Sequence, residues 1–80
     1  MTKKEIEIKV KDTLINHFGL ASEAVENVDT KIDDLGLDSL DFVEYIMDIE
    51  SIFAIHVQDE EMDDIKTIQN VIDCVYEKIQ

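Results

Sequence analysis

Apolar residues recur at helical spacing in three stretches of this chain, and acidic or turn-forming residues separate them. At the front, Ile6, Val10 and Leu14, followed by His17 or Phe18, fall three to four residues apart. Thr2 and Glu5 fit a capping box, in which each side chain satisfies a free backbone donor of the other. This predicts a first helix from about residue 3 to 17, ended by Gly19. At the back, Ile68, Val71, Ile72, Val75 and Ile79 have the same periodicity, with Thr67 placed to cap a last helix.

Between them lies an apolar-rich run from about residue 39 to 53, preceded by Asp38 and Ser39, either of which suits a helix cap. Placed at 100° per residue, Asp38, Asp41, Glu44 and Asp48 share one third of its circumference. Leu40, Phe42, Val43, Ile46, Met47, Ile49 and Phe53 cover roughly the opposite half. So wide an apolar face predicts packing on more than one side. Glu50 falls inside the apolar arc with no reason evident in the pattern.

The connection across 19–38 is long for a compact fold, a length that either counts against the element assignment or marks a functional loop. Leu20, Val25, Val28, Ile32, Leu35 and Leu37 are spaced through it as anchors, with a helical turn expected at Ser22 to Val25. Asp59 to Asp64 is acidic, with Met62 and Ile65 nearby, and predicts a short helix. Three longer helices and one short one make an all-α, small four-helix bundle with a long first loop, one domain over residues 1–80.

Charge narrows the function. Twenty acidic residues face seven basic ones, all lysine, for a formal net charge of −13. Nucleic acid as a partner is excluded, because neutralising phosphates needs clustered cations. Anionic membrane surfaces would repel the chain, and no stretch approaches the ~20 apolar residues of a span. Basic protein surfaces are the natural partners. Self-repulsion at this density also limits the stability of the compact state. The single Cys74 excludes an internal disulfide and suits a reducing, cytoplasmic setting. It stands beside the last helix's apolar stripe, where a small half-buried hydrophobe fits.

Ser39 is the candidate for chemistry. It stands at a predicted helix start, where free N–H groups and the helix dipole favour an anion such as a phosphate ester, although a plain cap explains the position equally well. Asp38-Ser39-Leu40, preceded by Asp34-Leu35-Gly36-Leu37 and followed by Asp41-Phe42-Val43-Glu44 and Ile52-Phe53, resembles the signature of the acyl carrier proteins. Ile65-Lys66-Thr67-Ile68-Gln69 and Val71-Ile72-Asp73 resemble the same family, as does the order of helices over essentially all of the chain.

That resemblance implies a carrier and not an enzyme. A phosphopantetheinyl transferase would attach 4'-phosphopantetheine to the Ser39 hydroxyl, and the arm's thiol would hold acyl groups as thioesters. Asp38 would help orient the modifying enzyme or its bound metal, and Leu40 would help dock partners beside the serine. Asp38, Asp41, Glu44, Met47 and Asp48 would meet basic patches of fatty-acid-synthesis enzymes, where complementary charge raises association rate and selectivity. Phe42, Ile46, Ile49, Met62 and Ile65 are the candidate lining for an acyl chain between the helices. The chain is expected to act as a monomer. A specialised polyketide, lipid or aminoacyl carrier, or a non-carrier acidic interaction module, are the alternatives.

The family usually has a proline near the start of the short third helix. Here Val57-Gln58-Asp59 occupies that turn, so this helix is expected to start differently or to be looser.

Competing chemistry fits less well. A nucleophile elbow needs a glycine two residues to each side of the serine, but Leu37 and Asp41 stand there. A calcium loop counted back from Gly36 meets Leu35, Asp33 and Lys31, with Phe42 at the closing glutamate position. No metal site is expected.

Overall fold

In the computed structural model, which describes residues 1–80, the chain is all helix and turn. α1 spans Lys3–Phe18, α2 Ser39–Phe53, α3 Asp59–Met62 and α4 Ile68–Ile79. Two short 3-10 turns, Ser22–Val25 and Ile32–Leu35, interrupt the long connection between α1 and α2.

The ends of α1 are set by the residues already noted. Thr2 Oγ1 accepts the Glu5 N–H at 3.2 Å, and Glu5 Oε1 accepts the Thr2 N–H at 2.9 Å. Gly19 takes the left-handed conformation, φ 70°, that ends a helix without a Cβ penalty, and the Leu20 N–H turns back to the Leu14 carbonyl. Thr67 and Asn70 form the corresponding box at the start of α4.

α1 packs chiefly against α4 and also against α2. Ile6, Val10 and Leu14 from α1, and Ile68, Val71, Ile72 and Val75 from α4, are buried with Tyr45, Ile46 and Ile49 from α2. Each such side chain contributes about 1.5–3 kcal/mol on leaving water, which is what offsets the chain's self-repulsion. Ile79, the last position of the α4 stripe, is only half-buried.

The long loop is tied down by backbone as well as by anchors. Val25 and Ile32 are buried in the core. The Ile32 N–H donates to the Lys66 carbonyl at 2.9 Å, the Ile68 N–H to Thr30 at 3.2 Å and the Gln69 N–H to Val28 at 2.8 Å. Residues 28–32 thus lie antiparallel to the start of α4, with an isolated bridge between Lys31 and Thr67. No periodicity signals this contact, because it is carried by main-chain groups.

The second helix corrects the sequence-based expectation. Its apolar face does not pack on two sides: Leu40, Val43 and Met47 are 67%, 40% and 59% exposed. The buried face is narrower and centred elsewhere, since Tyr45, which lies within the acidic third of the wheel, is fully buried. Its hydroxyl donates to the Val10 carbonyl at 3.2 Å, and burial pushes its ionisation far above the ordinary tyrosine range. Glu50, unexplained in the pattern, also finds its role. Its Oε2 accepts the Val57 N–H at 2.8 Å and lies 3.2 Å from Nδ1 of His56, holding the turn after α2.

α3 is one turn, shorter than the acidic run through Asp64. Gln58, which stands at the turn where the resemblance expects proline, has φ −76°, close to the angle a proline ring would impose. The Gln58 N–H, which a proline would lack, donates to Glu61 Oε1 at 3.4 Å.

Candidate functional site

The structure separates the two residues that compete to cap α2. Asp38 is the cap: its Oδ1 accepts the Asp41 N–H at 2.8 Å, while Asp41 Oδ2 accepts the Asp38 N–H at 3.3 Å. Ser39 is the first helical residue, exposed, and its hydroxyl makes no hydrogen bond to the protein. No protein acceptor takes the N–H of Ser39 or of Leu40 either. An unencumbered hydroxyl thus sits beside free backbone donors at the positive end of a helix, a setting that favours an anionic ester.

A hollow of about 590 Å³ opens next to it, between the start of α2, the loop before it, and α3. Ile32, Leu37, Phe42, Val43, Met62 and Ile65 supply its apolar wall. Asp33, Asp38, Ser39, Asp59, Asp63 and Lys66 supply the polar remainder. Of the acyl-lining candidates, Phe42, Met62 and Ile65 therefore come together at this hollow. Ile46 and Ile49 do not line it; they are buried in the core on the same helix. Ile46 stands one turn beyond Phe42 on neighbouring face positions.

The acidic stripe is less uniform than its spacing implies. Asp38 and Asp41 serve each other's backbone at the cap. Asp48 is half-buried and pairs with Nδ1 of His17 across to α1. Glu44 alone among the four is exposed with no partner in the protein. Alongside it run Leu40, Val43 and Met47, three exposed apolar side chains on successive turns beginning at Ser39. The periodicity holds that signal, but only burial distinguishes an apolar stripe facing water from one facing the core.

On the far side of α3, Glu61 joins it to α4. Lys78 Nζ lies 2.8 Å from Glu61 Oε2, and the Cys74 thiol approaches the same oxygen at 3.9 Å. The hydrogen bond from Lys78 holds the Glu61 carboxyl below its usual range, and Glu61 in turn raises Lys78. Burial first, then the Glu61 charge, push the half-buried Cys74 thiol up. No sequence pattern singles out Glu61, because the pair spans 17 positions.

Comparisons with known proteins converge. Residues 8–75 match the family model described as the phosphopantetheine attachment site. An acyl carrier protein of Chlorobium phaeovibrioides is 38% identical over 98% of this chain and 100% of its own length. That of Chloroherpeton thalassium is 37% identical, over 98% of both chains. The fold is similar to the solved acyl carrier protein of Thermotoga maritima, with TM-score 0.83 and 28% identity over 96% of this chain and 89% of that one. It is also similar to that of Enterococcus faecalis, with TM-score 0.80 and 29% identity over 98% and 99%. With this match over nearly its whole length, the chain belongs to the acyl carrier protein family and contains that family's phosphopantetheine attachment domain.

Proposed function

We propose that Ser39 is the attachment residue, and that residues 1–80 act as one carrier domain presenting acyl thioesters to fatty-acid-synthesis enzymes. The observation that carries this reading is the division of labour at the start of α2. Asp38 does the capping, so the Ser39 hydroxyl is free and exposed at the mouth of a half-apolar hollow. The group fits there: backbone donors of Ser39 and Leu40 face the phosphate position, and the hollow offers apolar wall to the pantetheine chain beyond it. When bound, the arm supplies the thiol on which acyl groups travel.

In the loading step the Ser39 oxygen forms a bond to the phosphorus of coenzyme A's pantetheine phosphate. The pyrophosphate bond breaks and the adenosine nucleotide leaves. The transferase supplies the base, so the carrier needs none of its own. Neither histidine lines the hollow, which supports a carried rather than a catalytic serine.

Leu40, Val43 and Met47 give partners an apolar strip beside the serine, and Glu44 with Asp38, Asp41 and Asp48 gives it an acidic border. Basic, partly apolar faces on the transferase and on synthesis enzymes fit that pairing. Phe42, Met62 and Ile65 form the mouth for an acyl chain, and Ile46 and Ile49 stand where a longer chain would press into the core. Charge repulsion between copies supports a monomer, and the lone thiol supports a cytoplasmic location. No helix is long and apolar enough to cross a membrane.

The test is intact mass after incubation with coenzyme A and a broad-specificity phosphopantetheinyl transferase. A gain of one phosphopantetheine in the wild type, absent in Ser39→Ala, is expected. No gain in a folded, initially unmodified sample would move the chain to a non-carrier interaction role.

A further inference from the structure

One basic residue lines the hollow beside Ser39. Four carboxylates line it, those of Asp33, Asp38, Asp59 and Asp63, against the single ammonium of Lys66. Yet Lys66 forms no ion pair or side-chain hydrogen bond. Lys3, Lys11 and Lys78, by contrast, each lie against a carboxylate. Lys4, Lys9 and Lys31 also lack such a partner, but none of them lines the hollow. In a chain of net charge −13, an unpaired lysine among four acids invites an account.

Its root is fixed while its head is free. The Lys66 carbonyl accepts the Ile32 N–H at 2.9 Å, and its own N–H donates to Asn70 Oδ1 at 2.9 Å. Those bonds tie the backbone of Lys66 both to the long loop and to the cap of α4. The side chain is thereby anchored at the rim of the hollow that also contains Ser39.

A phosphodiester on Ser39 would carry a negative charge into this acidic neighbourhood. Free N–H groups of Ser39 and Leu40 receive one side of it. Nothing else lining the hollow opposes the repulsion from Asp33, Asp38, Asp59 and Asp63 except Lys66. We propose that Lys66 is a positioning residue for the arm: its ammonium pairs with the phosphodiester on Ser39 and turns the first part of the arm into the hollow between α2 and α3. The inference rests on Ser39 being the attachment residue. The same geometry explains why the lysine is left without a carboxylate partner before the arm is attached.

Phosphorus NMR of the loaded protein, together with the side-chain ε-carbon signal of Lys66 in unloaded and loaded forms, tests this. Loading should move the Lys66 signal, and Lys66→Gln should move the arm's phosphorus resonance and remove its dependence on salt. Lys66→Arg should restore both, because a second cation can pair with the phosphate. Lys31→Gln should leave both unchanged, since Lys31 neighbours the same bridge but does not line the hollow. Lys66 is exposed, so these variants are expected to keep the wild-type helical content. A phosphorus resonance identical in wild type and Lys66→Gln, with Lys66 signals unmoved by loading, would overturn the proposal even though Ser39 is loaded. A sample that gains no mass at all fails at the earlier step, and overturns the attachment reading along with this one.

Discussion

The α1–α4 side of the molecule and the α2–α3 side are built from similar residues and put them to opposite use. Between α1 and α4, apolar stripes of ordinary width are enclosed except at Ile79, and the charged residues stay outside. On the other side, α2 carries more apolar surface than the core can take, and the surplus faces water next to Ser39. α3 is a single turn with no buried residue, so the wall of the hollow is the least enclosed helix in the fold. One half supplies the stability that lets the other half stay open. An apolar count per helix therefore does not measure its contribution to the core.

The widest gap between the halves should appear on truncating apolar side chains. Leu14→Ala removes a fully buried side chain from the packed half and should cost about 3 kcal/mol. Total stability for a chain of this size is about 4–12 kcal/mol, so the variant should melt far below the wild type. Met47→Ala, on the open half, should change stability by less than about 0.5 kcal/mol while slowing loading or transfer. Chemical denaturation of both proteins checks the pair. A large cost at Met47 would mean that the strip is packed in solution.

A smaller effect separates two adjacent residues. Asp38→Ala should cost about 1 kcal/mol, because it removes the acceptor of the Asp41 N–H. Ser39→Ala should change stability by less than about 0.5 kcal/mol, since its hydroxyl bonds to nothing in the protein. Thermal unfolding of the two alanine variants decides it. If Ser39→Ala were the costlier of the two, the serine would be the cap and its case as a free hydroxyl would be lost.

Legibility in the sequence depends on the physics of each signal. The caps at Thr2 and Thr67, the glycine stop at Gly19 and the turn at Ser22–Val25 are legible, because local hydrogen bonds and φ preferences need only neighbouring residues. The anchors of the loop are legible too, but its backbone pairing to residues 66–69 involves no side-chain pattern. Tyr45 is not, because a large phenol at the margin of an acidic arc reads as surface until its hydroxyl meets the Val10 carbonyl. Phe42, Met62 and Ile65 are legible as a set through apolar character on α2, on α3 and just after α3. Glu61 and the place of Lys66 at the hollow are not, since the Glu61–Lys78 pair and the lining of the hollow both join residues distant in the chain.

A backbone substitution tests the turn between α2 and α3, inside the open half. Ala54 ends α2 with φ 54°, the only positive φ outside glycine. A Cβ in that conformation costs roughly 1–2 kcal/mol. Glycine removes that cost but loses more freedom on folding, by about 0.5–1 kcal/mol. Ala54→Gly should therefore stabilise the protein by about 0.5–1 kcal/mol. A destabilised variant would show that the Ala54 side chain contributes packing beyond its exposed position.

The smallest effect is local, at the clasp that ties the open half to the packed one. Glu61 has a folded-state value below the ordinary carboxylate range, chiefly through its hydrogen bond from Lys78. Its contribution is therefore present above that ordinary range and is lost as pH falls through the folded value. Lys78 is shifted the other way by the same bond. Its contribution is present below the ordinary lysine range and is lost as pH rises through the folded value. The clasp should accordingly hold over the whole neutral window and loosen at both ends. Amide exchange at Met62 and Asp64, after correction for intrinsic rates, should quicken on acidification before the amides of Val10 and Leu14 respond. Glu61→Gln should remove most of that acid-side step without moving the global melting point much, because the pair is partly exposed and screened. If α3 and α1 instead lost protection together, the two sides of the molecule would be one cooperative unit. The hollow beside Ser39 could then open only by unfolding the core.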